Sequence, residues 1–166
     1  MKLTLSECAR RLDESRDFNE VFELVKAAVE RELKQHRAGL TLILADLPTH
    51  IAAYHMLSSN IIVINRDILN MVSSAAESRA EVNAFLFYIL THEYLHSLGY
   101  TSEREVRRTV QTLCERILGT EHLATQMARG SLFELYPQLK LLQRRGFGTE
   151  FEVVREFDRS SMPYIG

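Results

Sequence analysis

The sequence predicts an α+β domain in which a small sheet packs against a central helix. Three short apolar segments between Leu40 and Ile64 are separated by turn residues, and their β-branched content favours strands. The stretch from Ser78 to Leu98 has no Gly or Pro and is apolar on nearly every face, which is typical of a buried helix. A chain of 166 residues suits a single domain over residues 1–166.

An N-terminal helical pair is predicted over residues 1–39. Ser6 can cap a first helix that runs to about Ser15. Asp17 can cap a second helix, which has an apolar stripe along one face and runs to Gln35. Gly39 ends this unit.

The central segment, residues 40–129, and the C-terminal segment, residues 130–166, follow. The predicted elements of the central segment are strands over 40–45, 51–57 and 61–64, and helices over 68–73, 78–98, 102–117 and 121–128. Thr120 can cap the last of these helices. The C-terminal segment is expected to contain a helix to about Arg145 and an extended stretch over 151–155, followed by a tail without helical pattern.

Charge and cysteine content exclude several classes of function. The formal net charge is −2 and basic residues alternate with acids, so we expect no basic face for a phosphate backbone and no nucleic-acid partner. Cys8 and Cys114 lack C-x-x-C spacing, which favours free thiols in a reducing, cytoplasmic compartment. The longest apolar run, residues 84–90, is too short to span a bilayer, and the first residues lack the apolar region of an export signal.

The central helix contains His92-Glu93-Tyr94-Leu95-His96, which has the spacing of a zinc site. Residues four apart lie on one face of a helix, so both imidazoles can bind the same tetrahedral ion. Glu93 lies beside them, where it can take a proton from a water in the open coordination position. The motif therefore predicts two zinc ligands, His92 and His96, and a catalytic base, Glu93.

The residues alone leave the third zinc ligand open. Ser102 occupies the position at which a metzincin has its third ligand, so a metzincin site is not expected. Glu103, Glu105 and Glu115 on the next helix are candidates, and so is His122, the only histidine after the motif. Carboxylate and imidazole groups both suit zinc, and residue type does not decide between them.

The stretches Asn60-Ile61-Ile62-Val63-Ile64-Asn65 and His92-Glu93-Tyr94-Leu95-His96-Ser97-Leu98-Gly99-Tyr100 resemble the minigluzincins. These are small soluble zincin peptidases related to the catalytic domains of integral-membrane metallopeptidases. The resemblance covers residues 40–129 and implies a three-stranded, mostly antiparallel sheet over the zinc helix, with the last strand as an open edge for an extended peptide. It also implies that a histidine is the third ligand, which here is His122.

Minigluzincins resemble zymogens whose C-terminal segments fill the cleft. The resemblance implies the same part for residues near Phe151 to Asp158, which would make the protein latent. The chain departs from the family in length, since known members are shorter. The role of its two N-terminal helices and its C-terminal segment in the fold therefore has to be explained separately.

The function expected from these features is zinc-dependent hydrolysis of a peptide or protein substrate bound in extended form. Zinc would activate a water, and Glu93 would transfer its proton to the leaving amine. His55 and Tyr100 are candidates for stabilising the oxyanion. Broad apolar helix faces make a homodimer credible. Two alternatives stay open: an inactive or regulatory zinc-binding protein, and a zinc hydrolase with a non-peptide substrate such as RNA.

Overall fold

The computed structural model describes residues 4–142 and 150–158 and confirms the α+β class. The helices are α1 Leu5–Asp13, α2 Phe18–Leu33, α3 Arg66–Ala75, α4 Arg79–Ser97, α5 Glu103–Leu118, α6 Leu123–Arg129 and α7 Leu132–Leu135, with a 3₁₀ helix over Pro137–Leu141. The strands are β1 Thr41–Ala45, β2 Ala53–His55, β3 Ile61–Asn65 and β4 Phe151–Val153.

The described strands form one mixed sheet in the order β2-β3-β1-β4. β1 and β3 run parallel, with Thr41 beside Ile61. β2 pairs antiparallel with β3, and β4 pairs antiparallel with β1. The expectation of three strands is therefore corrected to four, because the C-terminal segment pairs with the edge of β1 that the other strands leave free.

The open edge beside the central helix is β2 and not β3. β3 lies between β2 and β1 and hydrogen-bonds to both, so its backbone groups are already paired. The expectation that the last of the three predicted strands forms the open edge is therefore wrong. β2 is short, and its outer side has no strand partner within the described sheet.

The long helix α4 is the central element of the fold. It packs against α1, α2, α3, α5, α6 and β2. Phe85, Leu90, Tyr94 and Leu95 are fully buried along it. The hydrophobic core contains residues from all three predicted segments, from Leu12 through α4 to Phe157. A helix with packed neighbours on almost every side needs the all-round apolar surface that the sequence shows.

Side-chain hydrogen bonds fix the N-terminal helices against this core. Thr4, rather than Ser6, caps α1, because its hydroxyl accepts from the Glu7 N–H while the Glu7 carboxylate accepts from the Thr4 N–H. The buried amide of Asn83 on α4 donates to the carbonyls of Leu12 and Ser15, at 3.0 and 2.7 Å. The turn between α1 and α2 is thereby held on the central helix.

The helix predicted from residue 130 to about 145 is interrupted. α7 ends at Leu135, and Pro137 begins a separate 3₁₀ helix. Proline has no N–H to continue an α-helix and its ring clashes with the preceding turn, which explains the break. The rest of the predicted helix, residues 143–145, lies outside the described residues.

Residues Phe157 and Asp158 follow β4 and pack against α2 and the start of β1. We call these two residues the C-terminal clasp. The Phe157 ring stacks on Phe22, with 4.2 Å between the ring centroids. Asp158 is buried and accepts hydrogen bonds from the Lys26 Nζ at 2.7 Å and from the Gly39 and Leu40 N–H groups at 2.9 and 3.1 Å. The clasp thus joins α2 to the start of β1.

The position of the clasp corrects the expectation that residues near Phe151 to Asp158 fill the cleft. β4 lies beside β1, two strands away from β2, and Phe157 and Asp158 pack against α2. These residues stabilise the β4 edge of the sheet, which is opposite the β2 edge beside the His92–His96 motif. The tail after Asp158 lies outside the described residues.

Both cysteines are free, as the sequence predicts, and both are buried. Burial raises the pKa of the Cys114 thiol to about 12 and also raises that of Cys8. Both thiols therefore pack as small apolar groups. Within residues 4–142 and 150–158, no helix combines the length and the apolar character needed to cross a membrane.

We expect Asp158→Asn to lower the free energy of unfolding by about 3 kcal/mol, because it leaves the buried ammonium of Lys26 without its buried carboxylate. Urea unfolding followed by far-UV circular dichroism measures the change. Glu23→Gln is the matched control. Glu23 contacts the same ammonium at 2.9 Å but is half exposed, so its replacement should cost less than about 1 kcal/mol. Equal costs for the two variants would contradict a stabilising role for the clasp.

Candidate metal centre

The two motif histidines lie on one face of α4 near its C-terminal end. Their ring centroids are 5.0 Å apart, and each side chain is mostly buried. The i, i+4 spacing produces this arrangement, since such residues stand one turn apart on the same side of a helix. Burial is the main cause that lowers the pKa of His92, which favours the neutral imidazole that a metal ion requires.

A Schellman turn ends α4 directly after the motif. The Gly99 N–H donates to the His96 carbonyl and the Tyr100 N–H donates to the Leu95 carbonyl, at 3.0 and 3.3 Å. Gly99 has a φ of 108°, in the left-handed region that glycine adopts without strain. The turn reverses the chain, so α5 begins close to the two histidines.

The same turn orients the ring of His96. Its Nδ1 lies 2.7 Å from the Tyr100 carbonyl oxygen, which can only accept a hydrogen bond. Nδ1 therefore carries a proton, and Nε2, which faces Glu103, is the ring nitrogen that can bind a metal once it is deprotonated. A backbone carbonyl that fixes the tautomer in this way is the usual second partner of a metal-binding histidine.

Glu103, the first residue of α5, completes a group of three ligands with His92 and His96. Its Oε1 lies 2.6 Å from His96 Nε2, and its Oε2 lies 3.2 Å from His92 Nε2. One ligand atom from each of the three residues lies within 4.8 Å of the other two. Two imidazoles and a carboxylate at this spacing match a catalytic zinc site, in which three protein ligands leave a fourth position open.

Electrostatics within the group suit a cation. Partial burial raises the pKa of Glu103, but the attraction of His92 and hydrogen bonds from both histidines outweigh it, so the pKa lies below its ordinary value. The carboxylate is therefore charged at neutral pH and available as an anionic ligand. In the described part of the chain, no other His, Cys, Asp or Glu joins the three.

His122, which the resemblance implies as third ligand, takes part in different contacts. Its Nδ1 accepts from the Ala124 N–H at 3.1 Å, so that His122 caps α6, and its Nε2 lies 3.0 Å from Asp13 Oδ1. Both ring nitrogens thus have partners away from His92 and His96. The structure therefore does not bring His122 to the two motif histidines, and Glu103 is the residue that the short turn places beside them.

The other two candidate glutamates do not reach the group. Glu105 lies later in the first turn of α5, where its backbone N–H is capped by Ser102. Glu115 accepts from the Gln111 amide at 3.2 Å, three turns further along α5. Since α5 leads away from the histidines, its first residue is the one placed to meet both rings.

Glu93 lies beside this group in a more buried position, with only 6% of its surface exposed. Burial, reinforced by the charge of Glu103, raises its pKa to about 8, and a hydrogen bond from the His55 backbone N–H opposes the shift. A metal ion next to the carboxylate would also stabilise its charged form. The site therefore offers a carboxyl group that can both accept and release a proton near neutral pH.

The β2 edge is held next to this carboxyl group by an arginine. Arg37 Nη1 donates to the Ser97 carbonyl at the end of α4, and Nη2 donates to the Ser59 carbonyl in the β2–β3 turn at 3.1 Å. Its backbone N–H donates to the hydroxyl of Tyr94 at 2.8 Å. These bonds fix the distance between the C-terminal end of α4 and β2, the strand whose His55 N–H contacts Glu93.

A cleft of about 1140 Å³ opens over the group and is lined by His92, Glu93 and Glu103. Its walls come from the residues before β2, from α4 and α5, and from the α6–α7 connection. His55 and Tyr100, the expected oxyanion donors, are not among the described residues that line it. The ring of His55 instead contacts the Ser59 carbonyl at 2.8 Å.

Sequence reasoning missed two features of the cleft. Tyr88, one turn before His92 on α4, lines it and has a pKa raised mainly by burial, so its hydroxyl keeps its proton. Four arginines also line it, namely Arg104, Arg107, Arg108 and Arg129. The i, i+3, i+4 spacing of the first three was a readable signal, because residues at this spacing lie next to one another on a helix surface.

We expect Glu103→Ala to lose bound zinc and His122→Ala to retain about one zinc per chain. The reason is that Glu103 contacts both histidines whereas His122 contacts Asp13. Elemental analysis of the purified, dialysed proteins measures the metal. Glu105→Ala is the control for removal of a neighbouring carboxylate. Zinc retained by Glu103→Ala but lost from His122→Ala would refute the three-residue group.

No protein-family model matches this chain, and neither does a curated protein or a solved structure. The resemblance to the minigluzincins therefore rests on the motif residues alone. The assignment of a function has to come from the chemistry of His92, Glu93, His96 and Glu103.

Proposed function

We propose that the protein is a zinc-dependent metallopeptidase. The observation that carries the proposal is the group of His92, His96 and Glu103, with Glu93 in the same cleft. A structural zinc site has four protein ligands, whereas a catalytic one has three and keeps a position for water or substrate. The three-ligand group supports catalysis over a purely structural or regulatory role.

The donor set fits zinc better than the hard divalent cations. Imidazole nitrogen suits zinc, whereas calcium and magnesium prefer shells made of oxygen. The Tyr100 carbonyl that fixes the His96 tautomer adds the outer support usual for such a site. When bound, zinc would lower the pKa of a water and polarise the carbonyl under attack.

Glu93 is the proposed general base and acid. Its carboxylate takes the proton of the attacking water and then delivers it to the leaving amine, which requires a pKa close to the working pH. Burial beside the Glu103 charge moves the pKa of Glu93 in that direction. The hydrogen bond from the His55 N–H keeps the carboxyl group oriented towards the cleft side of β2.

Substrate binding is proposed at the edge of β2. The strand has no partner on its outer side in the described sheet, and its backbone reaches Glu93. An extended peptide can add to such an edge through main-chain hydrogen bonds, which would lay a scissile bond across the site. Tyr88 lines the same cleft with a protonated hydroxyl and is positioned to donate to a developing oxyanion.

We expect Glu93→Gln to retain zinc and to lose at least about 10²-fold in kcat, because the amide cannot accept the proton of the water. Cleavage of a fluorogenic peptide library measures turnover, and elemental analysis on the same sample measures zinc. Glu105→Gln, a matched change outside the ligand group, should leave both unchanged. Loss of zinc together with activity, or turnover at the level of the unmodified protein, would contradict the assignment of Glu93 as base.

A further inference from the structure

We propose that the cleft selects peptides with acidic side chains near the bond that is cut. This inference rests on the peptidase function proposed above and specifies its substrate class. It comes from the four cleft-lining arginines, of which Arg104, Arg107 and Arg108 belong to α5 and Arg129 to α6. They lie in a protein whose formal net charge is −2, so the cleft departs from the overall charge of the chain.

The three arginines of α5 line the same cleft as the candidate metal ligand Glu103. Glu103 and Arg107 are four residues apart, as are Arg104 and Arg108, and both pairs line the cleft. Arg108 is five residues beyond Glu103, which corresponds to about 7–8 Å along the helix axis. An extended peptide covers that distance in about two residues, so the arginines lie next to substrate positions close to the scissile bond.

The charge balance of the cleft favours an anionic substrate. Its acidic lining residues are Glu93, Glu103 and Glu134. A divalent ion at the candidate centre would offset the charges of Glu93 and Glu103, which leaves Glu134 as the remaining acidic group among the described lining residues, while Arg129 also pairs with Glu115 outside the cleft. A walled cleft with one sign of charge raises the local concentration of ligands of the opposite sign.

Two of the arginines are available to a ligand. Neither Arg104 nor Arg108 forms an ion pair with any residue of the described ranges, and both are exposed. Arg107 lies 3.8 Å from Glu103, and Arg129 donates to the Thr120 carbonyl at 2.6 Å. Arg104 and Arg108 are therefore the proposed contacts for substrate carboxylates, since a guanidinium binds a carboxylate through two parallel hydrogen bonds.

The site favours a peptide over a nucleic acid. The open backbone edge of β2 beside Glu93 provides main-chain donors and acceptors in register with an extended peptide. The arginines are confined to the α5–α6 side of one cleft, whereas a nucleic acid requires a basic track along its backbone. Acidic peptide side chains match this local cluster.

The experiment compares two fluorescein-labelled peptides that differ only in three Glu or three Gln residues around a central Leu-Leu bond. Their binding to the zinc-loaded Glu93→Gln protein is measured by fluorescence anisotropy, which does not depend on turnover. The Arg104→Gln/Arg108→Gln double variant in the same background tests the proposed contacts. Arg116→Gln is the matched control, since Arg116 belongs to α5 but pairs with Glu32 at 2.8 Å and does not line the cleft.

We expect the Glu peptide to bind about five- to ten-fold more tightly at low salt. The double variant should lose this preference, Arg116→Gln should keep it, and added salt should weaken it. The Gln peptide should bind the double variant as well as the parent protein. Equal binding of the two peptides, no binding of either, or a preference that survives in the double variant would overturn the inference.

Two further measurements separate this inference from the function on which it rests. If the unmodified protein cleaves both peptides with the same kcat/KM, the peptidase function stands and the acidic preference fails. If it cleaves neither while the arginine-dependent preference in binding holds, the preference stands and the peptidase function fails. A single-stranded RNA of similar length that binds through the same arginines more tightly than the Glu peptide would assign the cleft to nucleic acid instead.

Discussion

The candidate site depends on the turn that joins α4 to α5. Gly99 closes a Schellman motif, and the carbonyl of Tyr100 then fixes the proton of His96 on Nδ1. Because the turn is short, α5 begins with its first side chain directly opposite the two imidazoles. One backbone reversal thus determines the tautomer of His96, the position of Glu103 beside it and the direction of the helix that carries three of the cleft arginines. A side chain at Gly99 would strain this reversal, since its φ is 108°.

The pKa values of the two glutamates of the site shift in opposite directions because Glu93 is buried and Glu103 is exposed. Glu93 points from the central helix into the protein and loses hydration, so its pKa rises to about 8. Glu103 stands at the exposed start of α5, and the imidazoles beside it lower its pKa. Two carboxyl groups at one centre can therefore take opposite parts, one as a proton carrier and the other as a charged ligand. The same separation of roles by environment is a general way of dividing acid–base work between identical side chains.

Much of the fold could be predicted from local sequence, whereas the residue that lies beside the two motif histidines could not. The central helix, its Ser78 cap and its end before Gly99 follow from residue types that act within one or two turns. The pairing of the fourth strand with β1 depends on contacts between residues more than a hundred positions apart, such as Ile43 and Val153, which leave no periodic signal. His122 was implied by resemblance, yet the length of the α4–α5 turn, and not residue type, determines which side chain reaches the histidines. The spacing of the motif predicted that the two histidines lie together, and the tertiary structure brings Glu103 to them.

The bond between Lys26 and Asp158 joins residues 132 positions apart. Such a contact requires closure of a loop that comprises most of the chain, which makes it a late event in folding. On the ribosome, Lys26, Gly39 and Leu40 emerge well before Asp158, so the bonds that they form with its carboxylate are absent until residue 158 has been synthesised. β1 keeps one unpaired edge over the same interval, which is a surface prone to association with other chains. The nascent protein therefore remains incomplete at this edge of the sheet until residue 158 is available.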